Sequence, residues 1–148
     1  MTSKKKLTPE QKAFIRSVKS VIGTTRSLNK IVSKLMSRGY MKVAEGGYKN
    51  VLLRDGDKYC IKVYKEKNDW MEDSYIVPKE ISKYYVHPIY INKLFMIQRW
   101  VKKAVKFDKT KAKKLPKSYV NTYNYDLHSD NIKYDGHRQV IIDFMYCG

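Results

Sequence analysis

Apolar residues recur with a helical period in the first forty positions and with a strand period in the stretch that follows. In "TPEQKAFIRSVKSVIG", Phe14, Ile15, Val18, Val21 and Ile22 fall at i, i+1, i+4, i+7 and i+8, which draws one apolar stripe along a helix. Thr8 can cap its start, Pro9 suits the first helical position, Gln11 completes a capping box, and Gly23 stops it. "SLNKIVSKLMSRG" predicts a second helix, capped by Ser27 and ended at Gly39, with Leu28, Ile31, Val32, Leu35 and Met36 as its stripe. Both stripes read as core or docking faces. Residues 1–7 read as a basic tail.

From Tyr40 onward the period shortens to two. Strands are expected near Tyr40–Ala44, Asn50–Arg54 and Tyr59–Tyr64, separated by Gly46-Gly47 and by an Asp55-Gly56 turn. Residues 69–85 suggest one or two short helical turns, interrupted where Pro78 biases Val77 away from helix. "VHPIYINKLFMIQRWV" predicts a hairpin turning at Asn92-Lys93, and the basic run Lys102–Lys117 reads as a linker or a solvated helix. "YVNTY" reads as a short helix, and "NIKY" and "QVIIDF" as two strands around Asp135-Gly136-His137. The order is that of an α+β protein: a helical pair over residues 1–39, then a strand-rich domain over residues 40–148.

Composition places the chain among folded domains. Its 148 residues are 43% hydrophobic and 13% aromatic, enough to bury a core. The net charge of +17, from 31 basic against 14 acidic residues, implies attraction to phosphate or acidic surfaces, with plain solubility as the alternative. Arginine is scarce beside lysine, which argues against bidentate base reading. Cys60 and Cys147 have no metal-type spacing, and a reducing cytoplasm is the expected compartment. No run approaches the length of a membrane span, and the N-terminus lacks the apolar core of a signal peptide.

The chemistry concentrates in "YDLHSDNIKYDGHRQVIIDF". Asp143 closes an apolar run, where an unbound carboxylate is costly. A divalent cation would hold it, with Asn131 as a neutral oxygen ligand beside it. Asp126, five positions before Asn131, is placed to orient or deprotonate a hydroxyl. The plain alternative for Asp143 is a strand-end cap.

This stretch resembles the catalytic loop and metal-binding segment of the protein-kinase-like superfamily, H-R-D-x-x-x-x-N followed by D-F-G. Its D-L-H-x-x-N form is closer to small-molecule kinases of the aminoglycoside and choline kinase type, and to short kinase-like proteins of bacteriophages. The resemblance implies Asp126 as catalytic base, Asn131 and Asp143 as Mg²⁺ ligands and His128 as loop support. Upstream, "YCIK" stands where the family has V-A-I-K, so Lys62 would hold ATP phosphates, with an ordinary surface lysine as the alternative. "AEGGYKNV" resembles the glycine-rich loop: Gly46 and Gly47 would let backbone approach phosphate, and Val51 would cover the base. Cys60 would join the adenine roof, and Gln98 to Trp100 would face the adenine edge. Glu80 or Glu72 would pair with Lys62. His87 and His137 read as turn residues.

The chain departs from the family in lacking a full G-x-G-x-x-G, in carrying Tyr125 for the H-R-D arginine, and in having no activation loop and almost no C-terminal lobe. The expected fold is therefore a minimal kinase-like one: an antiparallel N-lobe sheet, a catalytic-loop hairpin and an N-terminal helical pair. The resemblance implies an ATP- and Mg²⁺-dependent phosphotransferase acting on a protein, itself included, in the cytoplasm (a host's, if phage-encoded). Nucleotidyl transfer is a lesser variant. The reading from a different class is an inactive kinase-like binding module that grips a host protein or nucleic acid through its basic surface, with Lys102–Lys117 and the aromatics Trp100, Phe107 and Tyr119 as contacts. The missing lobe favours a partner protein or a homo-oligomer.

Overall fold

A computed structural model of the chain describes residues 6–73, 82–101, 132–134 and 139–142. Helix α1 (Pro9–Ile22) starts as the sequence predicts. The backbone N–H of Gln11 donates to Thr8 Oγ1 at 3.1 Å, and that of Thr8 donates to Gln11 Oε1 at 3.0 Å, closing the capping box. Gly23 ends the helix at φ 62°. A cation from the next helix completes that end: Lys34 Nζ donates to the Ile22 carbonyl at 3.2 Å and to Thr25 Oγ1 at 2.6 Å.

Helix α2 (Leu28–Met36) is capped by Ser27 and ends three residues before Gly39. Arg38 and Gly39 bond back to Leu35 and Met36 in tight i→i−3 turns, and Gly39 takes φ 91°. Met36, counted in the apolar stripe from its spacing, is 50% exposed. It lies on the flank of the stripe at the last helical position, where the core no longer reaches it.

Five strands follow: β1 (Met41–Glu45), β2 (Lys49–Leu53), β3 (Tyr59–Tyr64), β4 (Tyr90–Ile91) and β5 (Phe95–Arg99). They form one antiparallel sheet in the order β1-β2-β3-β5-β4. The β2–β3 turn sits at Asp55-Gly56, where Asp57 N–H donates to the Arg54 carbonyl at 3.0 Å and Gly56 takes φ 84°. The β4–β5 turn is held by Asn92, whose Oδ1 accepts from Leu94 and Phe95 N–H at 2.8 and 2.9 Å. Edge strand β1 is exposed throughout and carries a bulge between Lys42 and Ala44, a device that discourages edge-to-edge pairing.

Period two divides the sheet residues between its faces. Leu52, Ile61, Val63, Phe95 and Ile97 face the helices and pack with Ile15, Val18 and Ile22 of α1, Ile31 and Leu35 of α2, and Tyr40. Each such side chain contributes about 1.5–3 kcal/mol on burial. Helices and sheet thus share one core.

The chain divides into two compact units, Met1–Trp70 with Pro88–Arg99, and Met71–His87 with Trp100–Gly148. A short 3-10 helix at Asp69–Asp73 realises part of the helical character expected for residues 69–85, of which residues 74–81 lie outside the described set. In the second unit β6 (Ile132–Tyr134) and β7 (Gln139–Ile141) form an antiparallel hairpin, as "NIKY" and "QVIIDF" predict. Val86, Val101 and Val140 make a small core there, with Ile142 against it.

Candidate functional site

The sheet face opposite the helices is where the sequence-assigned nucleotide positions fall. Strand alternation puts Cys60, Lys62 and Tyr64 of β3 on that face, with Met96 and Gln98 of β5. The register sets Lys62 between Val51 and Met96, and Cys60 beside Gln98. Directly opposed residues of an antiparallel pair have Cβ atoms about 5 Å apart. Four of the assigned residues, Val51, Cys60, Lys62 and Gln98, therefore form one contiguous patch.

That patch is buried. Lys62 is 5% exposed, and Cys60, Met96 and Gln98 are buried more deeply still. An ammonium at that depth needs compensating interactions, so the reading of Lys62 as an ordinary surface lysine fails. Lys49, which pairs with Tyr64 on the same face, is also buried, at 7%. Its place was missed in the sequence, although counting back by two from Val51 along β2 would have found it. Burial pushes the Cys60 thiol up from its ordinary range, and the positive charges of Lys62 and then Lys49 pull the other way. Both cations thus act on the same small region of the sheet.

The β1–β2 connection carries Gly46 and Gly47. Gly46 N–H donates to the Lys49 carbonyl at 2.9 Å, and Lys65 N–H donates to the Tyr48 carbonyl at 3.0 Å. Neither glycine has a positive φ, and a Cβ on Gly47 would meet no atom within 4 Å. The loop conformation therefore does not itself require glycine at position 47. At the loop's entry the Lys65 ammonium lies 2.7 Å from the Glu45 carboxylate. That hydrogen bond, followed by the charge of Lys42, holds the Glu45 carboxyl below its ordinary value.

The remaining assigned residues are placed less closely. Trp100 follows β5 and is half-buried within the second compact unit. Glu72 lies in the 3-10 helix. Glu80, Asp126, His128, Asn131, Asp143, His137 and the run Lys102–Lys117 lie outside the described residues. The hairpin next to them is described: Ile132, which follows Asn131 in sequence, pairs with Ile141, two positions before Asp143. His87 behaves as a turn residue, its Nε2 lying 3.0 Å from Ser82 Oγ and 2.9 Å from the Ser82 carbonyl.

The residue types gathered on this face are apolar Val51, Cys60 and Met96 around a buried lysine, with an open glycine loop nearby in sequence. Among the described residues no group of three His, Cys, Asp or Glu side chains could hold a metal ion. No helix among them is long and apolar enough to cross a membrane. No family model matches the chain, and no curated protein or solved structure matches it either.

Proposed function

We propose that the protein is an ATP- and Mg²⁺-dependent phosphotransferase of protein-kinase-like type, with a protein, including itself, as acceptor. The observation that carries this reading is the buried Lys62, register-paired with Val51 and flanked by the Cys60–Gln98 pair on one sheet face. Cys60 and Lys62 share a face by strand alternation alone, and the register that sets Val51 and Gln98 beside them supports the reading.

In this reading Val51, Cys60 and Met96 hold the adenine ring, and Lys62 holds the α/β phosphates. The Gly46-Gly47 backbone covers the phosphates. Asp126 positions the acceptor hydroxyl and takes its proton. Mg²⁺, for which Asn131 and Asp143 are the ligands by sequence motif, would neutralise phosphate charge when bound.

The test is intact-mass spectrometry of the full chain and a basic protein acceptor after incubation with Mg-ATP, with Asp126→Ala alongside. A gain of one or more phosphates on either protein, lost in the variant, is expected. A gain of one nucleotide instead would assign nucleotidyl transfer to the same residues. A phosphate gain that persists in Asp126→Ala, or no gain on either protein, would overturn the proposal.

A further inference from the structure

The charge of this chain is unevenly distributed. Residues 1–44 hold eleven of its 31 lysines and arginines but one of its 14 acidic residues, Glu10. The fold places most of that charge on one element pair. Lys12, Arg16 and Lys19 of α1, Lys30 and Lys34 of α2, and Arg26 and Arg38 at the ends of α2 are all exposed. Glu10 is already engaged by Lys58 at 3.4 Å. Lys34 serves the end of α1, and Lys19 lies over the Tyr90 ring at 4.4 Å. Among the described residues Lys12, Arg16, Arg26, Lys30 and Arg38 have no acidic partner.

We infer that the solvent face of the α1–α2 pair is a docking surface for the phosphate backbone of duplex nucleic acid. Three observations choose this partner. First, apart from Met36 at the end of α2, the apolar stripes of both helices pack into the core, so no continuous apolar helix face remains to enter a bilayer. Second, the exposed cations are interleaved with short hydroxyl and amide side chains, Ser17, Ser20, Asn29 and Ser33, which can donate to phosphate oxygens. Third, the exposed residues of the two helices include no aromatic ring on which an unpaired base could stack. Binding through such a face is electrostatic and independent of base sequence. It stands apart from phosphate transfer and does not depend on it.

The full chain is titrated by fluorescence anisotropy against a labelled mixed-sequence DNA duplex over a range of sodium chloride concentrations. Log affinity should fall linearly with log salt. Lys12→Gln/Arg16→Gln/Lys30→Gln, whose substitutions keep helix propensity, should reduce the steepness of that line by about 0.9 for each phosphate no longer neutralised. Lys67→Gln/Lys83→Gln/Lys93→Gln removes equal charge elsewhere and should leave the slope close to wild type. Circular dichroism checks that both variants keep their helices; if the helix variant unfolds, Lys12→Gln/Arg16→Gln and Lys30→Gln/Arg38→Gln are measured separately. Equal reductions in the two triple variants, or no binding at low salt, would overturn the inference. So would stronger binding to phosphatidylserine vesicles or to single strands, or displacement of the duplex by an equal charge of polyglutamate.

Discussion

Three glycines of the sheet region differ in what holds them, and the difference separates folding from binding. Gly56 takes φ 84°, a conformation that an L side chain adopts only with strain. Gly47 has ordinary backbone geometry and open space at its Cβ position, and Gly46 has its nearest neighbour, the Lys49 carbonyl, at 3.8 Å. Gly56→Ala should therefore lower stability by about 1–2 kcal/mol. Gly47→Ala should stay within about 0.5 kcal/mol of wild type by urea denaturation. If position 47 lies against phosphate, as proposed, Gly47→Ala should nonetheless weaken ATP binding severalfold by calorimetry, since a methyl group would stand where backbone approaches the ligand. A Gly47→Ala chain that binds ATP as well as wild type would leave the β1–β2 loop as a plain hairpin connection. Lys62 makes the related point about burial. Its place in an alternating strand was legible, but its depth was not, because depth depends on what packs around that face of β3, which no local pattern states.

At the scale of elements, local signals were legible and non-local ones were not. The capping box of α1, the Asp55-Gly56 and Asn92-Lys93 turns and the bounds of β3 all follow from chemistry within a few residues, and the structure carries them. The end of α2 follows too: Gly39 takes the left-handed place past the last turn, its N–H donating to the Met36 carbonyl at 3.1 Å and that of Tyr40 to the Leu35 carbonyl at 3.2 Å. The pairing of β3 with β5, across some thirty intervening residues, is invisible to a periodicity argument, and it is the pairing that builds the candidate site. The same holds for the packing of the helical pair. Its stripes announced that something must cover them, but not that Leu52, Ile61 and Ile97 would do so. Ile31 and Leu35 are fully buried in that shared core. Leu35→Ala should therefore cost about 2–5 kcal/mol. Sheet and helices should also unfold together, monitored by far-ultraviolet dichroism and by tyrosine fluorescence. Loss of the helices at lower denaturant, with the sheet's transition unmoved, would show that the helical pair is an independent unit.

For the molecule as a whole, the excess of positive charge opposes folding as well as attracting partners. A net charge of +17 on 148 residues repels itself in the compact state, and residues 1–44, with eleven basic residues against one acidic, carry a large share of it. The cations there cannot all be relieved from nearby, since Glu10 is held by Lys58 and Glu45, just beyond them, is taken by Lys65 and Lys42. Dissolved salt should relieve them. At about 0.01 M ionic strength the Debye length is roughly 30 Å, so charges across the helical pair feel one another; at about 0.1 M it is roughly 10 Å, and the more distant pairs drop out. The melting temperature should accordingly rise as sodium chloride is raised through this range. Lys30→Glu/Arg38→Glu, which places two acids among the exposed cations of α2, should raise the low-salt melting temperature and flatten its dependence on salt. Sodium chloride has a weak effect on apolar burial, so a rise that persists undiminished in the variant would assign the effect to the core instead of the charged face. A melting temperature indifferent to salt would mean that the cations are too far apart, or too well solvated, to repel. The same reasoning would then weaken the case for the helical pair as a phosphate-binding surface, because close spacing of unpaired cations is what both effects require.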